Sequence, residues 1–397
     1  MTPMRHRSVT LGLVLVIVVT ALVGVGCWYR GYLAGILPSA AAEMSDISLP
    51  PGFQISVYAP DVPNARQMAL GPPGVVFVGS RAEGKVYAVV DRNGDHVADD
   101  VKVIASGRTA PNGVAFKDGA LYVAESDKII RLDDIENKLD APPVPIVVKA
   151  DLPNPRQGHS WKFLDFGPDG SLYVSVGSTC NVCEPEPMTA AILRMKADGS
   201  NVEVFASGVR NSVGFDWHPV TGELWFTENG RDLLGDEVPN DELNVAPRAG
   251  LNFGFPFCHQ GDVSDPQFGA SRACSTAEPP VFKVGPHVAA VGMMFYKGTM
   301  FPASYKNAVI MAQHGSWNRS TPSGYRVMVA RTDGRRVTNF EPLVDGFVRG
   351  ANGAAPGGRG AGAAAIGRPA DVLEMPDGSI LISDDAGNRL LRVSYGR

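Results

Sequence analysis

After an apolar leader, one pattern of polar and apolar positions recurs along the chain. A turn rich in Gly, Pro, Asp or Asn runs into a short apolar strand at 71–79, 117–124, 167–175, 219–227, 305–312 and 376–383. A second strand, mostly opened by a basic residue, follows at 85–89, 128–132, 192–195, 326–330 and 389–393; the fourth copy lacks a clear one. Repeats of about 40 to 50 residues, each an antiparallel group of strands, are the signature of a propeller. Stacked blades bury one another's faces, and ring closure protects the edges. Six copies therefore predict an all-β, six-bladed β-propeller over residues 45–397. The copies spread apart around 246–290, rich in Gly, Pro and Cys, and around 348–367, dominated by Gly and Ala, so both stretches read as insertions.

The leader, residues 1–44, reads as an export signal or membrane anchor. Arg5, His6 and Arg7 precede an apolar run from Leu11 to Trp28. That run is near the lower length limit for crossing a bilayer, and its positive flank places the rest of the chain outside. Three fates compete: cleavage near Ala40, Ala41 and Ala42, lipidation at Cys27, or retention as an anchor. Retention is the preferred reading. It places the protein in the periplasm or on the outer face of the cytoplasmic membrane.

Export changes how the cysteines read, since an oxidising compartment favours disulfides over metal ligands. Proximity pairs Cys180 with Cys183 and Cys258 with Cys274. The rival reading of Cys180 and Cys183, a redox motif, lacks the βαβ surroundings such motifs have. With 397 residues, 44% apolar, the chain can bury a core. A formal charge of −5 argues against nucleic acid as a partner, because phosphate binding needs a basic face.

Candidate chemistry gathers in the loops that enter and leave the strands. His159 precedes the third copy, Arg210 and Asn211 the fourth, and Arg368 the sixth. A Gly- and acid-rich stretch from Glu228 to Glu242 leaves the fourth copy, 314–319 leaves the fifth, and Asp384 and Asp385 leave the sixth. A cation, an amide and several carboxylates on one strand edge look more like a site than like core.

Four stretches, 158–178, 209–244, 313–327 and 367–387, resemble the soluble quinoprotein sugar dehydrogenases, most closely their L-sorbosone dehydrogenase branch. The resemblance spans essentially the whole chain after the leader. It implies six blades with pyrroloquinoline quinone (PQQ) and calcium in the central mouth. It also implies oxidation of an aldose, a sorbosone-like sugar or a related aldehyde, with electrons leaving to a periplasmic or membrane acceptor. By this resemblance His159 is the catalytic base, and Arg210 and Asn211 contact the quinone oxygens. Gly230 and Arg231 hold calcium through backbone carbonyls, with Asp232 beside them. Asn229 and Asp241 fall near the substrate, as does Trp317. Arg368 matches the first of two arginines that hold the PQQ carboxylates, and Lys162 and Arg319 are further candidates for that role. The second of those arginines aligns with Ala370. Arg231 stands where the best-known sugar enzymes have proline, and the segment up to Asp241 is longer than theirs.

The chemistry agrees with these residue types. A neutral imidazole suits removal of a hydroxyl proton while hydride leaves the same carbon. A guanidinium beside the acceptor stabilises the negative charge that grows there. Calcium wants hard oxygen ligands, which the 229–236 loop supplies.

Each residue also has a plainer reading. His159 is then a turn histidine bonded to backbone, and Arg210 a salt bridge to Asp216 or Glu228. The 232–242 acids become a solvated loop, and His314 and Trp317 become channel wall. His287 is expected to bond a loop carbonyl. Asp91 to Asp100 reads either as a charged hairpin tip or as a bound structural ion. Two rival functions share the scaffold: a calcium-dependent lactonase, and an exported propeller that binds glycan or protein without catalysis.

Overall fold

The computed structural model describes residues 44–154, 159–348 and 365–396. The leader with Cys27, the Gln157–Gly158 approach to His159 and most of the 348–367 insertion lie outside the described residues. The chain divides into two units, Met1–Ile47 and Ser48–Arg397, and the second is the propeller.

All six apolar runs become the second strand of an antiparallel blade. These strands are Val75–Ser80, Ala120–Ala124, Leu172–Val176, Leu224–Glu228, Val309–Gln313 and Ile380–Asp384, and every residue in them is buried. Neighbouring blades cover both faces, so the runs are continuously apolar rather than strictly alternating. The preceding turns reverse the chain tightly. At Gly74, with φ +78°, an added Cβ would lie 2.3 Å from the Asp91 carbonyl oxygen.

The core consists of wedges between blades. Phe77, Leu121 and Ile130 pack between blades one and two, Tyr122, Leu164 and Val174 between two and three, and Tyr173, Phe215 and Phe226 between three and four. Trp225, Met293 and Val309 fill the next wedge, and Val76, Tyr87, Leu381 and Leu390 join blade six to blade one. Fully burying one such side chain is worth about 1.5–3 kcal/mol. The ring closes on a strand that the repeat did not reveal. Phe53–Ala59 pairs antiparallel with Arg389–Tyr395, Phe53 opposite Tyr395, as the outer strand of blade six.

The fourth blade corrects the sequence reading. Its missing strand is Asn240–Ala246, paired with Leu224–Glu228. It begins with polar and acidic residues after a long loop, which hid its periodicity. The 246–290 insertion supplies the fourth strand of that blade, Phe282–Pro286, and a small hairpin at Cys258–His259 and Val263–Ser264. Both expected disulfides, Cys180–Cys183 and Cys258–Cys274, are formed.

In the Asp91–Asp100 hairpin the acids bond their own loop. Asp91 accepts from the Gly94 and His96 amides, Asp99 from the Arg92 amide, and Asp100 pairs with Arg92 and Lys102. Among the described residues no helix is long and apolar enough to cross a membrane.

Candidate active site

The first strands of adjacent blades touch one another around the channel. At the ends where those strands begin lies a cavity of about 500 Å³. His159, Arg210, Asn211, Asn229, Gly230, Asp232, Asp241, Trp317 and Arg368 all line it, so four blades bring most of the expected residues to one place.

His159 enters from the approach to blade three. Its Nδ1 lies 3.0 Å from the Ser178 carbonyl oxygen and 3.0 Å from Ser178 Oγ. A carbonyl only accepts, so Nδ1 carries the proton and Nε2 keeps its lone pair. Ser178 Oγ in turn donates to the Cys180 carbonyl at 2.7 Å. Burial first, and the nearby Arg210 charge second, push the imidazole down to about 3. It is therefore neutral throughout the physiological range. Gly177 makes this packing possible, since a Cβ there would lie 2.5 Å from His159 Cβ.

Arg210 is buried and almost fully engaged. Nε donates to the Asn181 carbonyl at 2.9 Å and Nη1 to the Asn229 carbonyl at 3.0 Å. Nη2 reaches Asn181 Oδ1 at 2.9 Å and pairs with Asp232 at 2.8 Å. A guanidinium has five N–H donors, so one on Nη1 remains for a ligand. The acid partner is thus Asp232, not Asp216 or Glu228. Glu228 instead accepts the Arg210 backbone N–H, and Asp216 accepts the Trp217 and Phe295 amides. Asn211 is buried with its Oδ1 unpartnered, an acceptor that a ligand hydroxyl would satisfy.

The acidic stretch is not simply a solvated loop. Asp241 and Glu242 are buried in the strand of blade four. Asp241 accepts from the Gly230 amide at 2.8 Å and the Ala290 amide at 3.3 Å, and burial pushes it up to about 6. Asn229 donates its side-chain amide to the Ala290 carbonyl. His287 bonds the Gly235 and Val238 carbonyls as expected, while also lining the cavity. Trp317 and Leu233 stand exposed at the rim.

Two expected cations are not brought to the cavity. Lys162 is wholly buried, and its Nζ donates to the Pro153 carbonyl at 2.8 Å. Trp161 lines the cavity, while its neighbour Lys162, just ahead of the strand Leu164–Phe166, turns away from it. Arg319 bonds the Asp236 carbonyl and pairs with Glu237, so it braces the long loop. Arg231 pairs with Asp265, which also holds His259 at 2.8 Å.

Two arginines that the sequence did not single out take up the cationic role, with a tryptophan beside them. Arg66, Arg81 and Trp161 line the same wall as Arg368. The Arg81 guanidinium lies 3.9 Å from the Trp161 ring centroid and pairs with no acid among the described residues. Burial, and the charge of Arg66, lower its pKa. Arg66 pairs with Asp385 at 2.9 Å, and Asp385 also accepts from His314 at 2.9 Å. Burial opposes the Asp385 charge, yet His314 and Arg66 hold it well below the usual carboxylate range. Arg368 bonds the His314 and Gly315 carbonyls, while Ala370 is buried in the neighbouring strand. The missing arginine at 370 is thus matched by cations from blade one. Position was the available signal: Arg66 stands ahead of its repeat copy as Arg210 and Arg368 do.

This wall fits a flat polycarboxylate such as PQQ: three guanidiniums, one indole face and a single ionised acid. The carboxylates expected at a calcium site are already committed. Asp232 gives one oxygen to Arg210 and the other to Asn318 at 3.1 Å, and both Asp236 oxygens accept from the Ser320 amide. Among the described residues no cluster of three or more His, Cys, Asp or Glu is arranged to hold a metal. Of the expected ligands the Asn229 side-chain oxygen and the backbone carbonyls of Gly230 and Arg231 remain, with no uncommitted carboxylate among them, and no step through calcium is derived.

Fold and mouth together define the class, a six-bladed propeller with a cationic cavity at one end of its channel. Residues 124–316 match the model of the Glucose / Sorbosone dehydrogenase family. The chain is 31% identical over 378 residues to an uncharacterized protein of Borreliella burgdorferi, covering 92% of this chain and 95% of that one. The holo PQQ domain of a pyranose dehydrogenase from Coprinopsis cinerea shares the fold with a TM-score of 0.73 at 19% identity, covering 88% of this chain and 97% of that one. The PQQ-bound aldose sugar dehydrogenase of Streptomyces coelicolor does so with a TM-score of 0.61 at 19% identity, over 87% and 99%. The chain belongs to the glucose/sorbosone dehydrogenase family.

Proposed function

We propose that the protein is a PQQ-dependent dehydrogenase that oxidises an aldose, a sorbosone-like sugar or a related aldehyde hydrate. The observation that carries this reading is the His159 geometry. Its Nδ1–H is tied to the Ser178 carbonyl, which leaves Nε2 free as a base in a cavity shared with Arg210 and Asn211. His159 Nε2 takes the substrate hydroxyl proton as hydride leaves the same carbon. Bound in the cavity, PQQ would supply the two-electron hydride acceptor. Arg210 stabilises the developing negative charge through its field and its one remaining N–H. Arg66, Arg81 and Arg368 would hold its carboxylates, and the exposed Trp317 would offer a face to the sugar.

Export, membrane association through the leader and an external electron acceptor belong to the same reading. Two disulfides support an oxidising compartment. The test is a PQQ titration with and without calcium, followed by dye reduction over a panel of sugars and aldehydes. Saturable binding with sugar-dependent turnover is the expected result. No binding and no turnover would end the proposal, and lactone hydrolysis without PQQ would select the lactonase instead.

A further inference from the structure

The turn from Ser178 to Cys183 touches both halves of the site. Ser178 is fully buried. Its carbonyl and hydroxyl hold His159 Nδ1, and its amide donates to the Arg210 carbonyl at 2.8 Å. Three residues on, Asn181 is a hub. Its backbone carbonyl accepts from Arg210 Nε, and its Oδ1 accepts from both Arg210 Nη2 and the Asp232 amide, each at 2.9 Å. Its Nδ2 donates to the Asp232 carbonyl at 3.0 Å. Both members of the Arg210–Asp232 ion pair therefore rest on one side chain. The Cys180–Cys183 disulfide closes a ring around that residue.

We propose that the disulfide-closed turn is the positioning element of the site, with Asn181 as the positioning residue that orients the Arg210 guanidinium toward the cavity facing His159. The proposal rests on the dehydrogenase reading for its effect on turnover, but its geometric content does not. Two acceptors on Asn181, one backbone and one side-chain, must face Arg210 together. That requirement fixes both the local backbone and χ1, and the short disulfide ring restrains the backbone part. An open turn would leave Ser178 in place through its own backbone bonds while Asn181 drifts. The guanidinium would then keep its charge and lose its direction.

The test uses the full chain with Asn181→Ala, Asn181→Asp and the double variant Cys180→Ser/Cys183→Ser. The first readout needs no cofactor: hydrogen exchange of the Arg210 Nε–H, followed by nuclear magnetic resonance. Exchange should accelerate by about tenfold or more in Asn181→Ala and in the double variant, as expected when a buried network loses a member. The second readout is kinetic. In Asn181→Ala kcat should fall about 10- to 100-fold with KM changed less than about threefold, since misplacement by an ångström acts on the reacting geometry. Asn181→Asp keeps the acceptor for Arg210 but loses the donor to the Asp232 carbonyl, so it should recover only the part of the loss that comes through Arg210. Unchanged exchange in both Asn181→Ala and the double variant overturns the proposal, whatever PQQ does. Faster exchange in a protein that never binds PQQ sinks the dehydrogenase reading and leaves the positioning role standing. A global loss of fold in the double variant leaves the decision to Asn181→Ala and Asn181→Asp.

Discussion

The two ends of the channel use charge in opposite ways. Along the first strands the residues facing the site come first, Arg66, Val291 and Arg368, and a second cavity of about 230 Å³ is lined a few residues later by Leu70, Phe295 and Glu374. That far end also holds Asp165, Asp216 and Asp371. Two of these acids are clasps. Asp371 of blade six accepts the Met68 amide of blade one at 2.8 Å, and Asp216 of blade four accepts the Phe295 amide of blade five at 2.8 Å. Gln67 ties blade one to blades two and three through Val114 and Leu164. At the site end, among the described residues, the groups keep unspent capacity: one N–H on Arg210, the whole Arg81 fork, the lone pair of neutral His159. Charged groups bonded between blades hold the ring. Those with donors or lone pairs to spare are the ones placed for a ligand.

The comparison can be broken at either end. His159→Ala should have the largest effect, lowering kcat by about 10²- to 10⁴-fold as for a lost general base, while PQQ still quenches the protein's fluorescence. Because burial holds His159 neutral down to about pH 3, the wild-type kcat/KM profile should show no acidic limb near 6.5; a limb there that vanishes in His159→Ala would show that the imidazole is not held neutral in this way. Arg210→Ala should come next, with a loss of about 10²- to 10³-fold in kcat. It should also destabilise the protein by about 3–5 kcal/mol in urea unfolding, because Asp232 is left uncompensated. Arg81→Ala should weaken PQQ binding about three- to thirtyfold, seen in the titration, with an unchanged melting temperature.

The smallest effects are those of pH on stability, and the two ends should differ in sign. Burial raises Asp165 and Asp371 to about 7. Such acids bind their proton more tightly when folded, so stability falls as pH rises from about 4 through 7. Burial lowers His159 to about 3 and His314 to about 4. For these the unfolded chain binds the proton, so stability falls as pH drops below about 6.5. Asp371→Asn should flatten the alkaline-side loss and leave kcat alone. His159→Gln should flatten the acid-side loss. Urea midpoints measured from pH 4 to 8 check both, and equal slopes in wild type and variants would refute the assignment.

Much of this was legible in the sequence for a physical reason. Strands buried on both faces must be apolar throughout, so six blades show as six runs. The disulfides followed from proximity. Asn240–Ala246 was hidden because a strand that supports a site carries Asp241 and Glu242 where a plain strand carries apolar residues. Lys162 was misplaced because residue type gives no side-chain direction, and its burial against the Pro153 carbonyl shows only in the folded chain. Arg66 and Arg81 escaped because their partners, Asp385 and Trp161, are far away in the chain and meet only when the ring closes.

That ring is zipped by its earliest and latest strands, Phe53–Ala59 against Arg389–Tyr395. A growing chain therefore carries Phe53–Ala59 as an unpaired edge until Arg389–Tyr395 has been made. Blades can stack as they appear, but the ring that holds the cavity closes only when those two distant strands meet.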